Sequence, residues 1–381
     1  MCKVALVFIM LLFVLSGNIR FEEGNRMFFT SSFRPVKAVK TTKILINFSD
    51  SIPDDTLTIY FLNTNFPEAY SRNIHTAVCI DSLCRLIDIT LYWEPTGKYI
   101  GFSLPQGVEL TKKEHTPFLE SEYTRLNEIL ADSTSQLGFY TPEEIHPVKQ
   151  PVAEADGITG ATLPNLAAWI VPEAAYTSYT MWHLAYGAAR DSIITYTGKH
   201  FLSNQLLINN LQNNDPYNQG KALQWISTSK QNCNQFIEPA LAILQKGNYL
   251  SSGQALKFLK NCSIDKERLQ TEVIQLLDSE DFRIKNTAIE YLRESDILEP
   301  AVVQKLITRL NSENYYLVNV ILTLLEKKYH PDNDDQLKIC TLLESKNKNI
   351  ANRVYYFLLN LPGQSPGLTK QLNQFRKKNK L

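Results

Sequence analysis

The C-terminal half of the chain repeats itself at a spacing of 33 residues. Leu277-Asp278-Ser279-Glu280 recurs as Leu310-Asn311-Ser312-Glu313 and again as Leu343-Glu344-Ser345-Lys346. Ile284, Leu317 and Ile350 then hold equivalent places, as do Asn286, Asn319 and Asn352, and Leu292, Leu325 and Leu358. A period of this length marks a supersecondary unit that cannot bury its apolar face alone, so copies must stack on one another. Each unit reads as a short helix, a Ser/Asp/Asn-rich turn and a longer helix, and the stack as a curved α-solenoid. An earlier unit around Gln254 to Leu259 fits the period less cleanly. No Cys/His cluster, carboxylate pair or glycine-rich phosphate loop stands out in this half, so protein docking or spacing is its expected use.

The repeat resembles HEAT-type architecture and is expected over residues 196–365. Beyond Leu361 the run Pro362-Gly363-Gln364-Ser365-Pro366-Gly367 reads as the end of the fold. Residues 366–381 read as a mobile basic tail. Upstream the pattern changes from helical to alternating. Ile44, Ile46 and Phe48 alternate with polar partners, and Leu57 to Leu62 is rich in β-formers. Ile87, Ile89 and Leu91 alternate again, and Glu94-Pro95-Thr96-Gly97 marks a turn before Tyr99-Ile100-Gly101-Phe102. An antiparallel meander from about Thr41 to Leu104 is the economical assembly. Thr111 and Glu114 have capping-box spacing, and Phe118, Leu119, Tyr123, Leu126, Ile129 and Leu130 follow at helical intervals. Thr141 to Ala155 is a proline-punctuated connector, and Glu173 to Gly187 reads as a further helix. Residues 21–195 are thus expected to form an α+β domain, an antiparallel sheet with helices.

The first residues look like an address. Lys3 is followed by an unbroken apolar run from Val4 to Leu15, too short for a comfortable membrane span and right for a signal-peptide core. Residues 1–20 are therefore expected to be a signal peptide or, if uncleaved, a signal anchor. The mature protein would be exported, periplasmic or tethered to the membrane from outside the cytoplasm. Across 381 residues, 39 basic and 39 acidic residues balance, which gives no electrostatic case for nucleic acid. Six cysteines do not make a disulfide scaffold. Cys79 and Cys84 flank what reads as a hairpin and leave three readings open: a disulfide, two unpaired thiols, or a pair exchanging electrons with a cofactor. With His75 upstream they do not complete a tetrahedral zinc site, so no metal is expected.

Between sheet and repeats lies Asp156-Gly157-Ile158-Thr159-Gly160-Ala161-Thr162. At average residue usage, Asp-x-x-Ser/Thr-Gly-Ala-Thr arises by chance in roughly one chain per thousand of this length. A tight turn is the plain reading, which Gly157, Gly160 and Pro164 would serve. An attachment site is the sharper one. Gly160 and Ala161 clear bulk from beside the Thr162 hydroxyl and let backbone N–H groups face phosphate oxygens. The apolar run from Leu166, with Pro164, suggests a helix starting soon after Thr162, whose dipole would favour a phosphodiester.

This segment resembles the flavinylation motif of the FMN-binding domain family, which includes flavoprotein subunits of sodium-pumping NADH:quinone oxidoreductase and of the related ferredoxin-oxidising complex. The resemblance covers roughly residues 75 to 187 and is specific only at the motif. It implies an FMN-binding-type fold and covalent FMN, joined through a phosphodiester to Thr162 by a separate magnesium-dependent flavin transferase. Asp156, Gly157, Thr159, Gly160 and Ala161 would frame the site. The segment from Gly97 to Asp132 resembles one exported branch of the family, which brings in His115 as a residue that touches flavin or is simply a helix-start histidine. Tyr176, Tyr179, Trp182 and Tyr186 fall near one face of the helix read over 173–187. The stripe serves either as core or, with His183, as the wall of an isoalloxazine. The implied role is electron transfer outside the cytoplasm with a docked redox protein or membrane electron-transfer complex, as a carrier more than a complete enzyme. Two other readings stay open. One is a non-catalytic scaffold with an unmodified turn at the motif. The other is a terminal reductase that would need His115 or His183 as proton donor.

Overall fold

The computed structural model describes residues 24–47, 55–62, 66–76, 86–112, 115–145, 166–229, 233–246, 249–310 and 314–380. The leader, Cys79, Cys84 and the whole of Asp156 to Thr162 lie outside the described residues. The chain divides into two compact units between Leu206 and Leu207.

The first unit is built on six strands: β1 (Arg26–Phe29), β2 (Lys40–Ile46), β3 (Asp55–Phe61), β4 (Ala69–Thr76), β5 (Ile87–Trp93) and β6 (Tyr99–Leu104). They form one antiparallel sheet in the order β1-β6-β5-β4-β3-β2. The meander expected from alternation is β2 through β6. Its added edge, β1, is four residues long and carries no alternation of its own; pairing with β6 places it. Leu57, Ile59, Tyr70, Ile89, Leu91 and Trp93 point to one face and are buried there. On the opposite face Tyr60, Ala69, Tyr92 and Ile100 are sealed by Phe33. The Phe33 ring packs edge-on against Tyr60 at 5.5 Å, and Phe29 lies 5.0 Å from Tyr92. Four hydroxyls on this face are buried as two pairs, Tyr60 with Ser71 at 2.9 Å and Tyr92 with Ser103 at 3.1 Å. Each pair spares the other the cost of a lone polar group in the core.

Among the described residues four α-helices complete the unit: α1 (Glu120–Ala131), α2 (Pro142–Ile145), α3 (Ala175–Ala185) and α4 (Ala188–His200). Tyr123, Leu126, Ile129 and Leu130 of α1 and Met181, Ala185, Ala189 and Ile193 of α3 and α4 share one core with the sheet. Three buried hydrogen bonds pin helices to strands: Tyr99 Oη to Asn127 Oδ1 (2.9 Å), Trp93 Nε1 to the Ala185 carbonyl (2.7 Å) and Thr197 Oγ1 to Tyr70 Oη (2.9 Å).

The structure corrects the expected start of α1. Thr111 does not cap it but bridges to Pro117 across a turn, and the helix begins nine residues later at Glu120. The actual N-terminal acceptor is Glu122, which takes the Leu119 N–H at 2.7 Å and the Lys112 ammonium at 2.9 Å. Burial works against the charged form, but these two donors outweigh it and hold the Glu122 carboxyl below the usual carboxylate range. A carboxyl depressed in the folded state contributes stability above its unfolded pKa of about 4.3, and loses it as pH falls through the lower folded value. Glu122→Gln is expected to cost about 1 kcal/mol at neutral pH. The gap to the parent should close on acidification below pH ~4, read by urea unfolding across the pH range. The Thr141 region is likewise not a plain connector. Thr141 and Glu144 exchange N–H bonds with each other's side chains and start the one-turn helix α2.

The second unit holds α5 (Asn204–Gln212, begun at the end of the first unit), α6 (Pro216–Thr228), α7 (Ile237–Gln245), α8 (Tyr249–Lys260) and α9 (Lys266–Gln275). It continues with α10 (Phe282–Glu294), α11 (Pro300–Arg309), α12 (Tyr315–Lys328), α13 (Asn333–Cys340), α14 (Lys348–Leu359) and α15 (Pro366–Asn379). The shorter helices α7, α9, α11, α13 stack in one layer and the longer α6, α8, α10, α12, α14 in another. The repeat places its residues for physical reasons. Asp281, Asn314 and Asn347 sit at one repeat position and cap α10, α12 and α14, each accepting a backbone N–H of the first turn. Leu292, Leu325 and Leu358 are fully buried. Asn286 and Asn319 reach into the next unit, accepting from Tyr316 Oη at 3.0 Å and from Arg353 Nε at 2.7 Å. Asn347→Ala is expected to lower stability by about 1 kcal/mol in urea unfolding, the usual loss for a helix cap.

The stretch expected to be a mobile tail is helical over Pro366–Asn379. Leu368, Leu372 and Phe375 recur at helical spacing within the basic run and are buried, with Phe375 stacked on Tyr355 at 5.3 Å. Ser365 caps this helix, and α15 lies against α13 and α14. The Pro-Gly run that reads as an ending is a connection between helices.

Candidate functional site

Helix α3 carries most of the described candidate residues, and side chains from α3 and its C-terminal cap clamp it to the end of α1 and the turn that follows. Trp182 Nε1 donates to the Asp132 carbonyl at 3.0 Å, His183 Nε2 to the Leu137 carbonyl at 3.1 Å, and Tyr186 Oη to the Leu130 carbonyl at 2.8 Å. Because its partner can only accept, His183 carries its proton on Nε2. The receiving turn is tight. Ser135 Oγ accepts the Leu137 N–H, and residues Gln136–Phe139 make one 3-10 turn. A Cβ on Gly138 would stand 2.8 Å from the Trp182 ring, so a glycine lets the indole lie against the backbone.

Trp182 is 8% exposed, packed in the core with its Nε1 satisfied, and offers no open face. Tyr179 and His183 differ. Both are half-buried, their rings 4.2 Å apart, and Tyr176 continues the row 6.4 Å from Tyr179. The partly open aromatic surface of this helix therefore includes Tyr176, Tyr179 and His183, while Trp182 is buried, its ring 4.6 Å from that of the half-buried Tyr186.

His115 is exposed at left-handed φ of 60° in the turn closed by Thr111 and Pro117. Thr177 Oγ1 donates to the Thr111 carbonyl at 3.4 Å, which seats that turn beside the first half of α3. His183 lies six residues further along the helix, about 9 Å of rise from Thr177. The two histidines thus belong to neighbouring elements, and no described hydrogen bond joins them.

The chain leaves the described residues at Ile145 and returns at Leu166, both buried in the same core as Trp182. Leu166 to Ile170 form turns, not the expected helix; the next helix is α3, beginning at Ala175. The dipole cradle expected just after Thr162 therefore has no helix at Leu166 to supply it. Cys79 and Cys84 lie outside the described residues, but Thr76 and Ile87, which flank them, are paired across β4 and β5.

Two features lie outside the repeated leucines and asparagines. Tyr249, Phe282 and Tyr315 stand 33 residues apart, each the first residue of its helix, and are 41%, 55% and 42% exposed. The Arg283 guanidinium lies 4.5 Å over the Tyr249 ring, and Phe282 lies 5.5 Å from Tyr316. The period itself is the signal that finds this row, once it is followed through the aromatics as well as the leucines and asparagines. The other feature is a pair of thiols, Cys233 and Cys262, close only through helix packing. Among the described residues no group of three or more His, Cys, Asp or Glu is arranged to hold a metal ion, and no helix is long and apolar enough to cross a membrane. Comparisons with protein-family models, with curated proteins and with solved structures each find no match.

Proposed function

We propose that this is an exported flavoprotein that carries FMN covalently on Thr162 and passes electrons outside the cytoplasm to or from a docked redox partner. The observation that carries the reading is the motif Asp156-Gly157-Ile158-Thr159-Gly160-Ala161-Thr162. Its described surroundings are compatible with it. Ile145 and Leu166, the described residues that flank the motif, lie in the core shared with α3, and Tyr179 and His183 present tilted, partly open ring surfaces of the kind an isoalloxazine packs on. Attached FMN would supply the redox chemistry, and the protein its exposure and potential. In this reading the first unit is an FMN-binding-type domain and the second a HEAT-like stack that docks the partner. The repeated row of Tyr249, Phe282 and Tyr315 favours a docking use, because aromatic side chains on a rigid surface are good anchors for a protein partner.

The same row also supports the second reading, an interaction scaffold without flavin. Co-expression with a flavin transferase and magnesium separates the two. The flavoprotein reading expects flavin absorbance that stays with the polypeptide through denaturation and filtration. A colourless protein from cells whose transferase modifies a known target would leave the scaffold.

A further inference from the structure

A covalent staple is latent in the second unit. Cys233 opens the 3-10 turn that leads into α7, and Cys262 lies two residues beyond the end of α8. Helices α7 and α8 are consecutive, packed partners joined by a short connection, so the start of one and the end of the other share one end of the hairpin. There the Cys262 thiol is near enough to Cys233 for the second cysteine to bear on its ionisation. Both are half-buried and neither is bridged. The only other contact described for either thiol is a long one from Cys233 Sγ to Asn234 Oδ1 at 3.8 Å.

Nothing in the local sequence announces the pair. The cysteines stand 29 positions apart, outside any metal-ligand or redox spacing. Two thiols are too few for a structural zinc site, and no third ligand is described beside them. What two adjacent thiols on a helix hairpin can do is form one bond.

We infer that Cys233 and Cys262 form an intramolecular disulfide that staples the α7–α8 hairpin when the protein meets a disulfide donor. The chemistry is thiol–disulfide exchange. One cysteine thiolate attacks a sulfur of the donor, forms a mixed disulfide and releases the donor's first thiol. The second cysteine then attacks the sulfur of the first, the S–S bond closes, and the donor's second thiol leaves. The two cysteines lose two protons and two electrons in all, and the donor disulfide gains them as two thiols. Burial, and then the neighbouring Cys233, push the Cys262 thiol up to about 12. The inference does not depend on flavin, since it needs only the packing of two helices and an oxidising compartment.

The test uses the full chain with Cys79→Ser and Cys84→Ser, which removes the competing pair. The native protein is treated with glutathione disulfide, free thiols are blocked with iodoacetamide, and the product is digested with trypsin without reduction. Cleavage after Lys230, Lys246, Lys260 and Lys266 places the two cysteines on separate peptides, 231–246 and 261–266. The expected product is those two peptides joined, with the intact protein lighter by about 2 Da. Carbamidomethyl groups on both cysteines, or a glutathione on each without a link, would overturn the inference. Cys233→Ser controls for scrambling. Cys262 should then end as a glutathione adduct or a blocked thiol, and a link from Cys262 to Cys340 at comparable yield would equally count against a built pair.

Discussion

Thr162→Val is expected to produce a protein that folds as the parent does and carries no flavin. Valine keeps the β-branched shape of threonine and removes only the hydroxyl. That oxygen is the one atom the proposed linkage requires, because the phosphodiester forms between it and the FMN phosphorus. No neighbouring group can substitute for it without moving the cofactor along the chain. After co-expression with a flavin transferase, the parent should weigh one FMN less one water more than its bare sequence, and Thr162→Val should show the bare mass. Thr159→Val is the informative companion. It removes a hydroxyl three positions away from within the same frame, so it should reduce the modified fraction without abolishing it. If Thr159→Val were bare and Thr162→Val fully modified, the attachment point would be Thr159 and the proposed register of the motif would be wrong. If both remained modified, the flavin would sit elsewhere and the motif would be a turn.

How far the fold is legible in the sequence depends on how local each signal is. Strands β3 and β5 are legible because Leu57 to Leu62 is rich in β-formers and Ile87-Ile89-Leu91 alternates, and neither signal needs knowledge of partners. Strand β1 is not, since Arg26–Phe29 becomes a strand only by pairing with β6, some 75 positions later. Thr111 and Glu114 have the spacing of a cap, but Pro117 and the left-handed His115 turn the chain back before a helix can start. The period of 33 is legible because stacking forces the same leucine into the same place in each unit. Its last member is hidden, as α15 keeps only the apolar stripe Leu368, Leu372, Phe375 and otherwise reads as a basic tail. At the site, the stripe on α3 is visible as a pattern. That Trp182 turns inward while Tyr179 and His183 stay partly open depends on where Asp132 and Leu137 present their carbonyls, a matter of tertiary placement.

Gly101→Ala is expected to be the most damaging single-methyl change in the first unit, costing about 3 kcal/mol or more. Gly101 sits in β6 between β1 and β5, opposite Phe29 on one side and Tyr92 on the other, at φ 156°. A Cβ there would stand 2.4 Å from the Phe28 carbonyl oxygen and 2.6 Å from the Phe29 ring. The first obstacle is backbone, which cannot swing away as a side-chain tip can. Relief therefore means separating β1 from β6. Losing β1 removes Phe28 from its stack on Phe102 and Tyr123, at 4.9 and 5.2 Å, and Arg26 from over the Tyr123 ring at 4.1 Å. Two other glycines calibrate the effect. Gly107 has a positive φ of 80° but open space around it, so alanine there should cost only about 1 kcal/mol of backbone strain. Gly253 lies inside α8 with nothing near its Cβ, so alanine there should stabilise by roughly 0.5–1 kcal/mol. Urea unfolding of the three variants would establish the order Gly253→Ala, parent, Gly107→Ala, Gly101→Ala. If Gly101→Ala matched Gly107→Ala, the β1–β6 contact would have to be looser than its register implies. The damage should also travel. Loss of β1 loosens α1, whose end and following turn supply the carbonyls that hold Trp182 and His183. In a flavinylated protein, Gly101→Ala should therefore alter the flavin spectrum without changing the attached mass, which separates positioning of the cofactor from its attachment.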